Sequence, residues 1–74
     1  MAHTKPTLAE ARLARGYTQD MLAHSIGRQT GTVANWETGK NLPSVADAQR
    51  ASRVLKIGVD DIDWTRAYDA RHNK

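Results

Sequence analysis

The chain has no cysteine among its 74 residues. That excludes a disulfide framework and a thiolate metal site. It suits the reducing cytoplasm, where we expect the protein to act close to the nucleoid. No apolar run approaches the roughly 20 residues of a membrane span, and no secretory signal is visible, so no membrane partner is expected. Signatures of catalysis are missing too. His3, His24 and His72 are scattered, and His24 reads as a surface side chain on a helical stretch. There is no Ser/His/Asp order, no phosphate-cradling glycine loop and no zinc spacing. Asp60, Asp61 and Asp63 lack the glycine and closing glutamate of a calcium loop, and read as acids at the start of a helix. We therefore expect no enzyme, no cofactor and no metal site. With no internal repeat or linker, residues 1–74 read as one domain. A domain of this length buries only about 60% of its unfolded surface, is marginal alone, and often gains stability by dimerising.

What is present is an uneven charge. The net charge is +3, from 11 basic and 8 acidic residues. Residues 1–56 carry 8 basic and 4 acidic groups, whereas residues 57–74 carry 3 and 4. A basic body with a near-neutral tail suits a polyanionic partner.

Local signals divide the chain into about five helices. Met1 to Pro6 read as a loose leader, from which Lys5 can reach a phosphate. Thr7-Leu-Ala-Glu10 has the spacing of a capping box and opens a helix over about Leu8–Arg15, with Leu8, Ala11 and Leu13 as its apolar stripe and Gly16 as its stop. Thr18 caps a second helix, about Gln19–Ile26, and Tyr17 is placed to staple it to the core. A third helix runs from Gln29 or Thr30 to Thr38, ended by Gly39. Its Thr30-Gly31-Thr32 run is poor helical sequence, so packing of Val33 and Trp36 must hold it. Ser44 caps a fourth, with Asp47 near its positive dipole end and Val45, Ala48, Ala51 or Ser52, and Leu55 facing inward. After the break at Lys56-Ile57-Gly58, a fifth helix is expected from about Val59, with Ile62 in the core. The tail from Trp64 to Lys74 has helical composition but weak periodicity.

The stretch from Gln19 to Thr38 organises the rest. Met21, Leu22, Ala23 and Ile26 fall at helical spacing, Val33 and Trp36 do so again, and Gly27 lies between, where the chain must reverse. Small Ala23 lets another helix pass close by. Two short helices around a sharp turn form a helix-turn-helix pattern. Thr18-Gln19, Leu22-Ala23, Gly27 and the run Val33-x-x-Trp36-Glu37-x-Gly39-Lys40, followed by Pro43-Ser44, resemble the phage repressor and Cro family of DNA-binding domains over about residues 7–63. The resemblance implies an all-α, lambda-repressor-like bundle of bacterial or phage origin. It would bind operator DNA as a transcriptional regulator, expected to be a repressor, without a cofactor.

A recognition helix presents its N-terminal end and outward face to the major groove. With Val33 and Trp36 inward, the outward residues are Gln29, Thr30, Gly31, Thr32, Ala34 and Asn35. Asn and Gln can bond adenine at two edge atoms, and Thr can bond a base or pack its methyl on thymine. The resemblance implies base reading at Thr30, Gly31 and Asn35, with Gln29 and Thr32 nearer the backbone. Gly31 departs from the family, which usually has a side chain there. Gln19, at a helix N-terminus that attracts phosphate, is where the family holds the DNA backbone and braces the recognition helix. Thr18, Arg28, Lys40 and Asn41 are the further phosphate candidates. Glu37 stands unfavourably near a helix C-terminus, and the resemblance implies that Arg12 pairs with it as a structural link.

One recognition helix reads few base pairs, so a homodimer is expected, with residues 59–74 as the possible dimerisation segment. Trp64, Ala67 and Tyr68 fall at helical spacing, and Trp64 and Tyr68 are the interface candidates, unless they fold back onto the core. The rival to a DNA-binding regulator is a protein-interaction module, an antitoxin or adaptor, built on the same fold. Steep salt dependence separates the first from the second.

Overall fold

Three hydroxyls begin three of the helices. In the computed structural model, which describes residues 4–72, Thr7 Oγ1 accepts from the Glu10 amide at 3.2 Å, and Glu10 Oε1 accepts from the Thr7 amide at 2.9 Å. This closed capping box opens α1, Leu8–Ala14. Thr18 accepts from the Met21 amide and opens α2, Gln19–Ser25. Ser44 accepts from the Asp47 amide and opens α4, Val45–Leu55. Between them α3, Thr30–Glu37, begins after Gln29 with no side-chain cap. Gly27, at φ +72°, makes the reversal between α2 and α3.

The core is small and mostly aliphatic. Leu8 and Ala11 of α1, Leu22 and Ala23 of α2, Val33 and Trp36 of α3, and Ala51 and Leu55 of α4 meet around it, with Ile26 and Ile62. Tyr17 packs against its edge. All of these elements are helical, and the described residues form an all-α bundle of five helices with no strand. No helix among them is long and apolar enough to cross a membrane.

Three expected inward residues are not inward. Leu13 is 64% exposed, because α1 buries Leu8, Ala11 and Arg12, an i, i+3, i+4 face that leaves position 13 outside. Met21 is exposed beside the buried Leu22 and Ala23. Val45 is 76% exposed, because the first turn of α4 projects past the core and burial begins at Asp47 and Ala48. Both Ala51 and Ser52 are buried.

The end of the chain also differs from expectation. Lys56 caps α4 in the left-handed conformation, at φ 56° and ψ 43°. Only a three-residue 3-10 turn, Val59–Asp61, follows. Ile62 is then extended and buried, and the Asp63 amide donates to the Pro6 carbonyl at 2.8 Å in a one-residue bridge with Thr7. That bond back to the start of the chain interrupts the helix expected from Val59. Asp63 Oδ1 instead accepts from the Arg66 amide at 3.1 Å, and α5 runs over Arg66–His72.

Helix α5 lies over the end of α3. Gly39, at φ +81°, is buried there, and a Cβ on it would collide with the Ala67 carbonyl. His72 Nε2 donates to the Gly39 carbonyl at 3.1 Å, and the Tyr68 and His72 rings lie 4.0 Å apart between centroids.

Candidate nucleic-acid interface

Helix α3 is gripped from one side. Val33 is fully buried and Trp36 is 7% exposed. Glu37 lies at the last position of the helix, where the dipole disfavours a carboxylate, and is satisfied by three donors. Arg12 Nε bonds Oε2 at 2.6 Å, Arg12 Nη2 bonds Oε1 at 3.0 Å, and Gln19 Nε2 bonds Oε1 at 2.8 Å. Arg12 Nη1 also donates to the Tyr17 carbonyl at 2.7 Å. The Arg12 and Glu37 side chains are 9% and 5% exposed. A buried, two-pronged pair of this kind costs about 3–5 kcal/mol to break, because one charge is then left without its partner. The expected Arg12–Glu37 link is thus present, and it ties α1 and α2 to the end of α3.

With that side fixed, the open side of α3 follows. Gln29 and Gly31 are exposed, and Thr30, Thr32, Ala34 and Asn35 are half-buried. An added Cβ on Gly31 would meet nothing within 4 Å. No packing requirement inside the chain explains glycine there.

The expected phosphate contacts fall into two groups. Thr18 is exposed, but its hydroxyl is engaged as the α2 cap, and the Gln19 amide nitrogen is committed to Glu37. Lys40 and Asn41 are exposed just beyond α3, with both backbone amides on the Asn35 carbonyl at 2.9 and 3.2 Å. Arg28 joins Lys40, Asn41 and Thr32 along an open cleft between α3 and the start of α4. Its Nε is paired with Asp47 Oδ1 at 3.1 Å, so the guanidinium is only partly available. Lys5 is spent elsewhere, donating to the Asp60 carbonyl.

Asp47 was legible as a helix-dipole acid but not as the hub it is. It is buried, and Arg28 and Arg50 both bond its Oδ1, the second at 3.0 Å. Burial pushes its carboxyl up. The Arg28 hydrogen bond and charge, the Ser44 cap and the Arg50 charge outweigh that and hold it below the ordinary carboxylate range. This stability is present above the unfolded carboxyl's range and is lost as pH falls through the lowered folded value. Glu10 is lowered as well, first by the Thr7 backbone hydrogen bond and then by Arg66, whose Nη2 lies 2.6 Å away.

Another contact had no local signal. Thr30 Oγ1 donates to Asp20 Oδ1 at 2.7 Å, joining the first residue of α3 to the second of α2.

The two candidate dimer residues part company. Trp64 is half-buried against the core, and its indole N–H donates to the Val59 carbonyl at 2.8 Å. Its remaining surface borders an apolar groove with Leu42, Val45 and Val59. Tyr68 lines the other cleft, beside Lys40 and Asn41.

Comparison with known proteins agrees with this geometry. Residues 8–62 match the family described as helix-turn-helix. Over 51 residues the chain is 37% identical to a protein of Bacillus subtilis (strain 168) named as the uncharacterized HTH-type transcriptional regulator YazB, covering 69% of this chain and 74% of that one. Over 60 residues it is 30% identical to a second from the same organism, the uncharacterized HTH-type transcriptional regulator YgzD, covering 81% and 91%. No solved structure matches the chain. Helix α5 lies beyond the stretch matched to the family.

Proposed function

The chain belongs to the helix-turn-helix family, and on that premise we propose that it is a transcriptional regulator that binds duplex DNA sequence-specifically, with α3 in the major groove. The observation that carries the reading is the one-sided grip on α3. Val33, Trp36 and Glu37 are held inside, Gly31, Thr32 and Asn35 remain on the helix's other sides, and Gln29 and Thr30 stand at its N-terminal end. Asn35 offers a bidentate contact to adenine, and Lys40 and Asn41 flank the helix as phosphate ligands. We read the regulatory sign as repression, which needs only that the site be occupied.

One α3 covers few base pairs, so the protein acts as a homodimer on half-sites about 10–10.5 bp apart, or a multiple. The groove of Leu42, Val45, Val59 and Trp64 is the face for the second copy. The same groove favours the second reading, a module whose chief partner is another protein.

The test is selection of bound sequences from a random duplex pool, followed by a salt series. Asn35→Ala should weaken specific binding by about 1–3 kcal/mol and leave non-specific binding nearly unchanged. Lys40→Ala should weaken all sequences alike and make the salt slope shallower by about 1. Val45→Asp should turn the dimer monomeric in sedimentation. A chain that enriches no sequence and binds duplex without salt dependence is not a DNA-binding regulator, and the protein-partner reading then stands.

A further inference from the structure

We propose that Asp20 is a specificity-setting residue that acts through Thr30. It makes the first residue of α3 a reader of base amino groups. The inference rests on α3 being the helix that enters the groove, and it adds which base chemistry one of its positions selects.

A threonine hydroxyl has one proton to donate and two lone pairs to accept with. Left free, it rotates to suit either kind of base edge and discriminates little. Here its proton is committed: Thr30 Oγ1 donates to Asp20 Oδ1 at 2.7 Å. The hydroxyl has no competing duty as a cap, since α3 begins after Gln29 without a side-chain cap. What Thr30 can still offer is acceptor lone pairs and a methyl group. The ionised carboxylate beside it also offers only acceptors. The pair is therefore an acceptor-only surface with a negative charge.

In the major groove, amino donors are found on adenine N6 and cytosine N4, while guanine O6 and N7 and thymine O4 accept. An acceptor-only pair fits an amino group and repels guanine's acceptor edge. It also repels phosphate, so Asp20 lowers affinity for DNA in general while sharpening the choice at one position. A simpler role for Asp20 exists. It lies in the first turn of α2, where the dipole favours an acid. That role predicts a small change in stability and none in base preference, so the two accounts separate in one experiment.

The experiment is selection from a random duplex pool with the wild-type chain, Asp20→Ala, Asp20→Asn, Thr30→Val and Thr30→Ser, each first checked for folding by its circular-dichroism melt. The wild type should prefer adenine or cytosine at one position per half-site, by about five- to tenfold over guanine. Asp20→Ala, which frees the hydroxyl to donate, should relax that position alone and raise affinity for random duplex. Asp20→Asn, which brings amide donors, should shift it toward guanine or thymine. Thr30→Val should relax the same position, with no further loss when it is combined with Asp20→Ala in one chain, and Thr30→Ser should keep the preference. Enrichment of a sequence whose preferences are unchanged in Asp20→Ala and Thr30→Val overturns this inference and leaves the DNA-binding reading intact. So does a wild-type preference for guanine at the Thr30-dependent position. Failure of the wild type to enrich any sequence overturns both.

Discussion

Helices α3 and α4 follow one another in the chain and are secured in opposite ways. Helix α4 carries its own support: a Ser44 cap, Asp47 in its first turn, Arg53 in its last, and an inner stripe of Ala48, Ala51 and Leu55. Helix α3 has no side-chain cap, no acid in its first turn, no base in its last, and a glycine at its second position. Its shape is imposed by Val33 and Trp36 in the core and by the Arg12–Glu37–Gln19 cluster at its end. The helix proposed to enter the groove is thus the one whose local sequence is freed from holding a helix together. Its outer positions can be chosen for what they touch.

Removing what α3 borrows should cost most. Trp36→Ala is expected to destabilise the fold by about 3–5 kcal/mol in a urea or thermal melt. For a small domain that is a large part of the whole. A melt close to wild type would mean that α3 does not depend on its core contact, and the contrast with α4 would collapse. Arg12→Ala should cost about 3 kcal/mol, since it strands a buried carboxylate, and should weaken DNA binding further because the Glu37 carboxylate that Gln19 bonds is no longer anchored. A double-mutant cycle with Glu37→Ala isolates the coupling. By comparison Ser44→Ala, aimed at α4's own support, should cost only about 1 kcal/mol.

The last prediction exchanges glycines between the two helices. Gly31→Ala should stabilise α3 by up to about 1 kcal/mol, because a Cβ there meets nothing and alanine is the better helix former. Lys56→Gly should stabilise α4 by up to about 1 kcal/mol by relieving a left-handed lysine. Melts of both variants settle it. A Gly31→Ala protein that is more stable but binds DNA less well would show that the glycine serves the contact and not the fold.

Local chemistry was legible in the sequence. The Thr7–Glu10 box, the Thr18 and Ser44 caps and the turn at Gly27 depend on residues within a few positions of one another, and each is found where spacing puts it. The phase of α1 was not, because a two-turn helix allows Leu13 or Arg12 to complete the same stripe, and only the ion pair to Glu37 decides for Arg12. The fifth helix was misplaced for a similar reason. Its interruption comes from Pro6, 57 residues upstream of Asp63, whose amide it binds. In the candidate site the burial of Val33 and Trp36 was legible, but of the six residues expected outward only Gln29 and Gly31 are exposed. The partners of Arg28 and Thr30, Asp47 and Asp20, lie 19 and 10 positions away and leave no periodic trace.

Gly39 meets α5 through main-chain atoms, with the Ala67 carbonyl occupying the space a side chain would need. Such a contact has no rotamer to yield, so it is stiff. We expect the last turn of α3 to fray mainly when α5 lifts away, which hydrogen exchange would check. The Lys40 and Asn41 amides, both held by the Asn35 carbonyl, should then exchange no faster than α5 opens. The pace at which α3 loosens would then be set by a segment beyond the stretch the chain shares with its family.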